Sequence, residues 1–204
     1  DDYAIRSLSL PSKFGKVSKV FVTQENQETS QNSEELYDTN TLSLYVLSQN
    51  NVNDLIVADP ALKENLRVFL AEYRMLTDAI RIKDAFIINI GINFDVILLP
   101  NVNSQTVLNA CINALKDYFD IDKWQINQPI LINNVRNVID QVEGVQTVKK
   151  LEFINKVGES DGYSKLAYDI KGGTINEVIY PSLDPSIFEI KFPDTDILGR
   201  VVTN

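Results

Sequence analysis

The sequence has no histidine and a single cysteine, Cys111, among 204 residues. Without histidine the Ser–His–Asp and Cys–His nucleophile pairs are excluded, as are the common histidine-rich metal sites. One thiol cannot form an internal disulfide or a thiolate zinc site, and it fits a reducing compartment. With 8 glycines and 7 prolines, there is no Gly-rich phosphate loop of the Walker or dinucleotide type. Gly172-Gly173 is too short and follows no strand-to-helix pattern. Positive charge is also scarce: 19 Lys and Arg against 28 Asp and Glu give a net charge of -9. An acidic surface repels phosphate backbones and anionic leaflets, so neither nucleic acid nor membrane is an expected partner. No run approaches the roughly 20 apolar residues of a membrane span. The most apolar stretch, Ala85 to Leu99, is broken by Asn89, Gly91, Asn93 and Asp95. Nothing near Asp1-Asp2-Tyr3 resembles a signal peptide, and the chain reads as a piece of a longer protein.

What remains is ordinary globular usage, with 44% hydrophobic and 23% charged residues. A chain of this size buries roughly 70% of its unfolded surface and can build a core. Asp2 to Leu10 reads as a short helix ending at Pro11. Lys16 to Gln24 is a β-branched, aromatic strand. Residues 25–40, rich in Gln, Glu, Asn, Thr and Ser, read as a long mobile loop, with Glu34, Glu35 and Asp38 as solvating charges. Thr41 to Leu47 alternates Leu42, Leu44 and Val46 with Tyr45 and Leu47, a strand that pairs with the first.

Asp59-Pro60 is a helix start, a capping carboxylate before proline at the first helical position. Leu62, Leu66, Phe69, Leu70, Tyr73 and Leu76 follow at helical spacing. Ile80 to Leu99 is strand material, one long strand or a hairpin near Gly91. Asn103 or Ser104 caps a second helix with the stripe Val107, Leu108, Cys111, Ile112, Leu115, Tyr118 and Phe119. Pro129 opens a third helix with Ile132, Val135, Val138, Ile139 and Val142, which Gly144 stops. Val145 to Ile154 is a strand. Short strands follow around Leu166–Ile170, Thr174–Tyr180 and Phe188–Phe192, separated by Gly172-Gly173 and by Pro181 to Pro185.

Carboxylates are the remaining candidates for catalysis. Asp194 and Asp196 stand at i and i+2; on an extended segment they share a face, as two glycosidase carboxyls must across a cleft. The blander reading, a solvated turn, fits the residue types better. Asp117, Asp120 and Asp122 lack the glycine turn and distal Glu of a calcium loop, and read as a solvated connection. They sit unfavourably at a helix C-terminus, where Lys116 and Lys123 can offset them. Cys111 lies on an apolar stripe and reads as core. Trp124, with Tyr118 and Phe119, either caps the core between two helices, the preferred reading, or forms an exposed anchor. The residues therefore assign no catalytic, cofactor-binding or metal site, and single out no interface.

The order of these pieces resembles the central segment of baseplate J-like proteins. The resemblance runs through Asp2-Tyr3, Pro11, Gly15 and Val17-Ser-Lys-Val-Phe21. It continues in Leu42-Ser-Leu-Tyr-Val-Leu47, the helix Leu62–Leu76 and the link Met75-Leu-Thr-Asp-Ala-Ile80. Then come Phe94-Asp-Val-Ile-Leu-Leu99, the helix at 104–119, Pro129-Ile-Leu-Ile and Ile139-Asp-Gln-Val-Glu-Gly-Val145. The tail Phe188-Glu-Ile-Lys-Phe-Pro193-Asp-Thr-Asp-Ile-Leu-Gly199 resembles the C-terminal end of T4-type baseplate wedge subunits. That family has no catalytic motif to carry over.

The resemblance implies a structural component of a contractile phage tail, located in the virion baseplate and assembled in the host cytoplasm. It would join itself, as dimer or ring, and neighbouring wedge proteins, with no cofactor and no small-molecule substrate. The expected fold class is α+β, mixed sheets covered by amphipathic helices with a short β-rich C-terminal segment. The expected parts are an αββα subdomain at 1–80, a β-α-α-β subdomain at 81–156 and a β-rich segment at 157–204, or one continuous unit. The alternatives are a carboxylate-dependent glycan hydrolase of a tail and a host-binding module.

Overall fold

The structure is a computed structural model that describes residues 2–24, 41–73 and 79–203. The fold is α+β, and the chain divides into two compact units, Asp1–Ala85 and Phe86–Asn204. The loop expected at 25–40, Leu76 and most of the link from Met75 lie outside the described residues.

The first unit runs α1 (Asp2–Leu8), β1 (Lys19–Gln24), β2 (Thr41–Gln49), β3 (Leu55–Val57), α2 (Pro60–Ala71) and β4 (Ala79–Asp84). β2 is its central strand. It pairs antiparallel with β1, from Lys19↔Leu47 to Gln24↔Leu42. It pairs parallel with β4, from Thr41↔Ala79 to Val46↔Asp84, and its far end pairs with β3. The turn into β3 is built on Asn50, whose Oδ1 accepts the N–H groups of Val52 and Asp54, both at 2.9 Å. β3 was not expected, because three apolar residues after a polar turn carry no periodicity.

α2 starts where the sequence places it. Asp59 Oδ1 accepts the Leu62 N–H at 2.7 Å and Pro60 takes the first helical position. Such a cap is worth about 1 kcal/mol. The face it orients buries Leu62, Leu66 and Leu70 with Leu44 and Val46 of β2. Each fully buried leucine stabilises by about 1.5–3 kcal/mol.

The second unit is hung on β5 (Phe86–Leu98). The remaining elements are α3 (Ser104–Tyr118), β6 (Ile130–Leu131), α4 (Ile132–Asp140), β7 (Val145–Asn155), β8 (Thr174–Ile175), β9 (Val178–Ile179), β10 (Ser186–Glu189), α5 (Pro193–Asp196) and β11 (Ile197–Val201). β7 pairs antiparallel with β5 from Ile90↔Asn155 to Leu98↔Val145, with two register shifts. β10 pairs parallel with its first residues, Ser186↔Phe86 to Glu189↔Asn89. β11 pairs parallel further along, Ile197↔Ile92 to Val201↔Val96. The strands of residues 157–204 that flank β5 thus belong to the same unit as 86–156. Ile88, Ile90, Ile92, Phe94 and Val96 alternate along β5 and are each at most 1% exposed. α3 packs against β11 and α4 against β7, closing over Val107, Cys111, Leu115, Val135 and Ile139, all buried. β6, β9 and β8 form a separate small sheet.

Several boundaries differ from the sequence reading. Strand material from Ile80 onward is two strands, and the break falls at Ala85 rather than at Gly91. β5 passes straight through Gly91, where a Cβ would stand 2.7 Å from Lys156 Cε and 3.1 Å from the Asp196 carbonyl oxygen. The glycine permits a close approach and makes no turn. Pro129 opens β6, not a helix; α4 begins at Ile132. Gly144 lies past the helix end with φ 95°. Leu166–Ile170 is not a strand, the strand expected around Phe188–Phe192 is Ser186–Glu189, and β11 was unexpected.

Gly199 of β11 lies opposite Phe94. A Cβ there would clash with Phe94 Cζ and meet Leu108 Cδ1 at 2.7 Å. Overpacking of this kind costs about 1–3 kcal/mol. Gly199→Ala is therefore expected to lower unfolding free energy by about that amount in urea titration, whereas an unchanged midpoint would show that the ring and α3 yield freely.

Candidate functional site

β5, β7 and β11 present a row of charge on the face opposite the apolar alternation. Register puts Arg200 beside Asp95 and Asp95 beside Lys150. The guanidinium grips the carboxylate through two bonds, Nε to Oδ1 at 2.9 Å and Nη2 to Oδ2 at 3.0 Å. Lys150 Nζ donates to Glu152 Oε2 at 2.8 Å. Leu198, half exposed at 54%, lies opposite Asn93 in the next row. Together they floor a shallow depression of about 250 Å³.

The Arg200 hydrogen bonds hold the Asp95 carboxyl below the usual range, with smaller help from the charges of Lys150 and Lys149. Glu152 is lowered in the same way by Lys150. Two acids and two cations thus neutralise each other locally. A carboxylate held ionised by a hydrogen-bonded cation is a weak proton acceptor, so the arrangement suits recognition of a surface better than proton transfer.

Asp194 and Asp196, the pair weighed as glycosidase acids, are not brought together. Both sit in α5, a single helical turn, where positions i and i+2 point about 200° apart. The Asp194 side chain is 90% exposed and pairs with Lys116 Nζ at 2.5 Å. Asp196 is 1% exposed. It accepts the Tyr163 hydroxyl at 2.6 Å and the Phe192 N–H at 3.0 Å, with Lys156 Nζ at 3.5 Å. Burial first, and the bond to Asp196 second, push the Tyr163 phenol up to about 12.

The other sequence candidates fall on structural roles. Asp120 accepts the Asp122 N–H at 3.0 Å, and Lys123 Nζ donates to the Asp117 carbonyl at 2.7 Å. Lys123 thus does offset the end of α3, while Lys116 is engaged with Asp194. Trp124 is 2% exposed, stacks on Phe119 at 5.2 Å and donates its indole N–H to the Tyr118 carbonyl at 3.1 Å. It caps the core and is no exposed anchor.

Two residues that matter were not singled out, Asn89 and Asn155. Asn89, 1% exposed, donates to Glu189 Oε2 at 2.7 Å and accepts the Ser164 N–H at 2.6 Å. Asn155 donates to the Asn89 carbonyl at 3.0 Å and accepts the Tyr168 N–H at 2.7 Å. The signal available was an asparagine inside an apolar run, which in a buried strand must find partners.

No family model matches the chain. No curated protein matches it. Among solved structures it is similar to a chain of the anti-feeding prophage (AFP) baseplate, 6-fold symmetrised, determined by cryo-EM. The TM-score is 0.48 at 9% identity, covering 100% of this chain and 37% of that one. The chain thus spans well under two thirds of that neighbour's length.

Two outcomes follow from the ionisations. Because the folded Asp95 carboxyl is depressed, the Arg200 pair stabilises above the ordinary carboxylate value of about 3.9 and is lost as pH falls through the depressed one. Asp95→Asn should be less stable than the parent at pH 7, by a small, salt-sensitive margin that shrinks as pH falls below the ordinary carboxylate value; a gap that does not change with acidification would refute the pairing. Burial also pushes the Cys111 thiol up to about 11. Dithionitrobenzoate should find no reactive thiol in the native chain at pH 8 and one in denaturant.

Proposed function

We propose that this chain is a structural, non-enzymatic module of a contractile-tail baseplate, which joins neighbouring wedge proteins into a ring. One observation carries the reading. The stretches that resemble baseplate J-like proteins fall in order on successive elements of the second unit. Phe94 to Leu99 spans the end of β5 and the following residue, 104–119 is α3, Pro129 to Ile132 covers β6 and the start of α4, and Ile139 to Val145 joins α4 to β7. The tail Phe188 to Gly199 supplies β10, α5 and β11.

A scaffold needs rigid sheets with surfaces left over for neighbours. The small sheet supplies one such row. Ile175, Val178 and Leu131 stand in register, with Ile175 58% and Leu131 41% exposed. Its other row, Ile130 and Ile179, is buried. A row of aliphatic side chains left in water suits protein contact. The partners in this reading are other copies of the chain and neighbouring wedge proteins, and the place of action is the tail baseplate of the virion, assembled in the host cytoplasm. The hydrolase alternative gains nothing from Asp194 and Asp196, which point apart. A host-binding β-sandwich is not the architecture of an α+β chain.

Co-expression with the proteins encoded beside it should give a stable complex that co-purifies by size exclusion. Alone, the chain should sediment as a dimer or small oligomer. A chain that stays monomeric at every concentration and captures none of its neighbours would overturn the proposal.

A further inference from the structure

The segment read from the sequence as a strand at Leu166–Ile170 keeps a strand's burial pattern without being one. Lys165, Ala167 and Asp169 are exposed, Leu166 and Tyr168 are half-buried and Ile170 is buried. Among the described residues it joins no sheet ladder. Side chains hold its backbone instead. The Ser164 N–H goes to Asn89 Oδ1 at 2.6 Å and the Tyr168 N–H to Asn155 Oδ1 at 2.7 Å. The Tyr163 hydroxyl reaches the buried Asp196 at 2.6 Å. Two rings seat it edge-on, Tyr163 at 5.3 Å from Phe192 and Tyr168 at 5.9 Å from Phe188.

This strap begins where β7 stops: the last pair is Ile90↔Asn155, and the Lys156 N–H still donates to the Asn89 carbonyl at 2.9 Å. Glycines stand at its start, Gly158 at φ 140° and Gly162 at φ 84°, and Gly172-Gly173 follow its end. Beneath it lies the buried Asn89–Glu189 pair.

We propose that residues 158–170 form a latch that opens as one unit while the sheet of β5, β7, β10 and β11 stays folded. A ladder strand leaves its sheet only by breaking cooperative backbone pairing. The latch gives up the polar contacts to Asn89, Asn155 and Asp196, the bond from the Tyr168 hydroxyl to the Tyr180 carbonyl, two edge-on ring contacts and the burial of one aliphatic side chain, Ile170. Each such hydrogen bond contributes modestly to net stability, because water replaces it on opening. The alternating strands beneath bury whole apolar side chains and have no such exchange. Segments with few buried apolar contacts open sub-globally. Opening uncovers the Asn89–Glu189 pair, and the glycines supply the hinge.

Native-state hydrogen exchange on the full chain tests this. Peptides covering 163–170 should exchange at least tenfold faster than those of β5 and β7, with an opening that hardly depends on added urea. Tyr163→Phe, which removes the hydroxyl on Asp196, should speed exchange in the latch several-fold and leave β5 and α3 unchanged. Equal protection and equal urea dependence of latch and β5 in the parent chain would overturn the proposal whatever the variant does. So would a Tyr163→Phe effect spread evenly over both.

Discussion

The second unit depends on one constraint: β5 must be buried on its apolar face and paired along its length. Its partners come from far apart in the chain. β7 returns after two helices, and β10 and β11 return about a hundred residues later to pair in parallel. Parallel pairing demands a crossover rather than a hairpin, so the intervening residues must be long. They are used: α3 and α4 close the apolar face. The tightest point is where Gly199 meets Phe94 and Leu108, and there the absence of a side chain lets strand, ring and helix lie in contact.

Polar groups divide by the same geometry. On the open face of β5, charges pair with their strand neighbours, and Asp95, Arg200, Lys150 and Glu152 neutralise one another. At the other end of β5 the polar groups are buried or half-buried and need partners. Asn89, Asn155 and Asp196 meet that need by accepting backbone N–H groups or a phenol. Both arrangements use carboxylates to fix structure. Neither aims two of them at a shared point, which is what glycoside cleavage would ask.

The starts of α2 and α3 were legible because two independent signals agree at each. Asp59 and Asn103 cap the helices whose apolar stripes they precede, and both accept the expected N–H. Glycine was not legible in the same way. Gly91 in an apolar run can mean a turn or a close approach, and the choice depends on Lys156 and Asp196, residues remote in sequence. Pro129 likewise fits a helix start or a strand start, and the decision lay with β9, which pairs with Ile130 and Leu131. Leu166–Ile170 carries strand alternation, yet the edge it would have joined is reached through asparagine side chains. For the site, the pairing of Arg200 with Asp95 required the register of a strand that short-range pattern does not reveal.

The tail motif Pro193-Asp-Thr-Asp has a physical explanation once β10 and β11 are seen as successive partners of β5. Between Asn89 and Ile92, the positions on β5 where β10 ends and β11 begins, the tail must lose seven residues, 190–196. It coils the last four into a single turn. Pro193 pre-sets the first helical position. Asp194 stands in that first turn, where a negative charge meets the positive end of the helix, and its pair with Lys116 ties the turn to α3. Asp196 closes the turn by accepting the Phe192 N–H, and the same carboxylate receives Tyr163. The two acids that invited a catalytic reading are those that let the strand step out and return in register. Two helical positions, about 200° of rotation, separate them, so one carboxylate faces outward and the other inward.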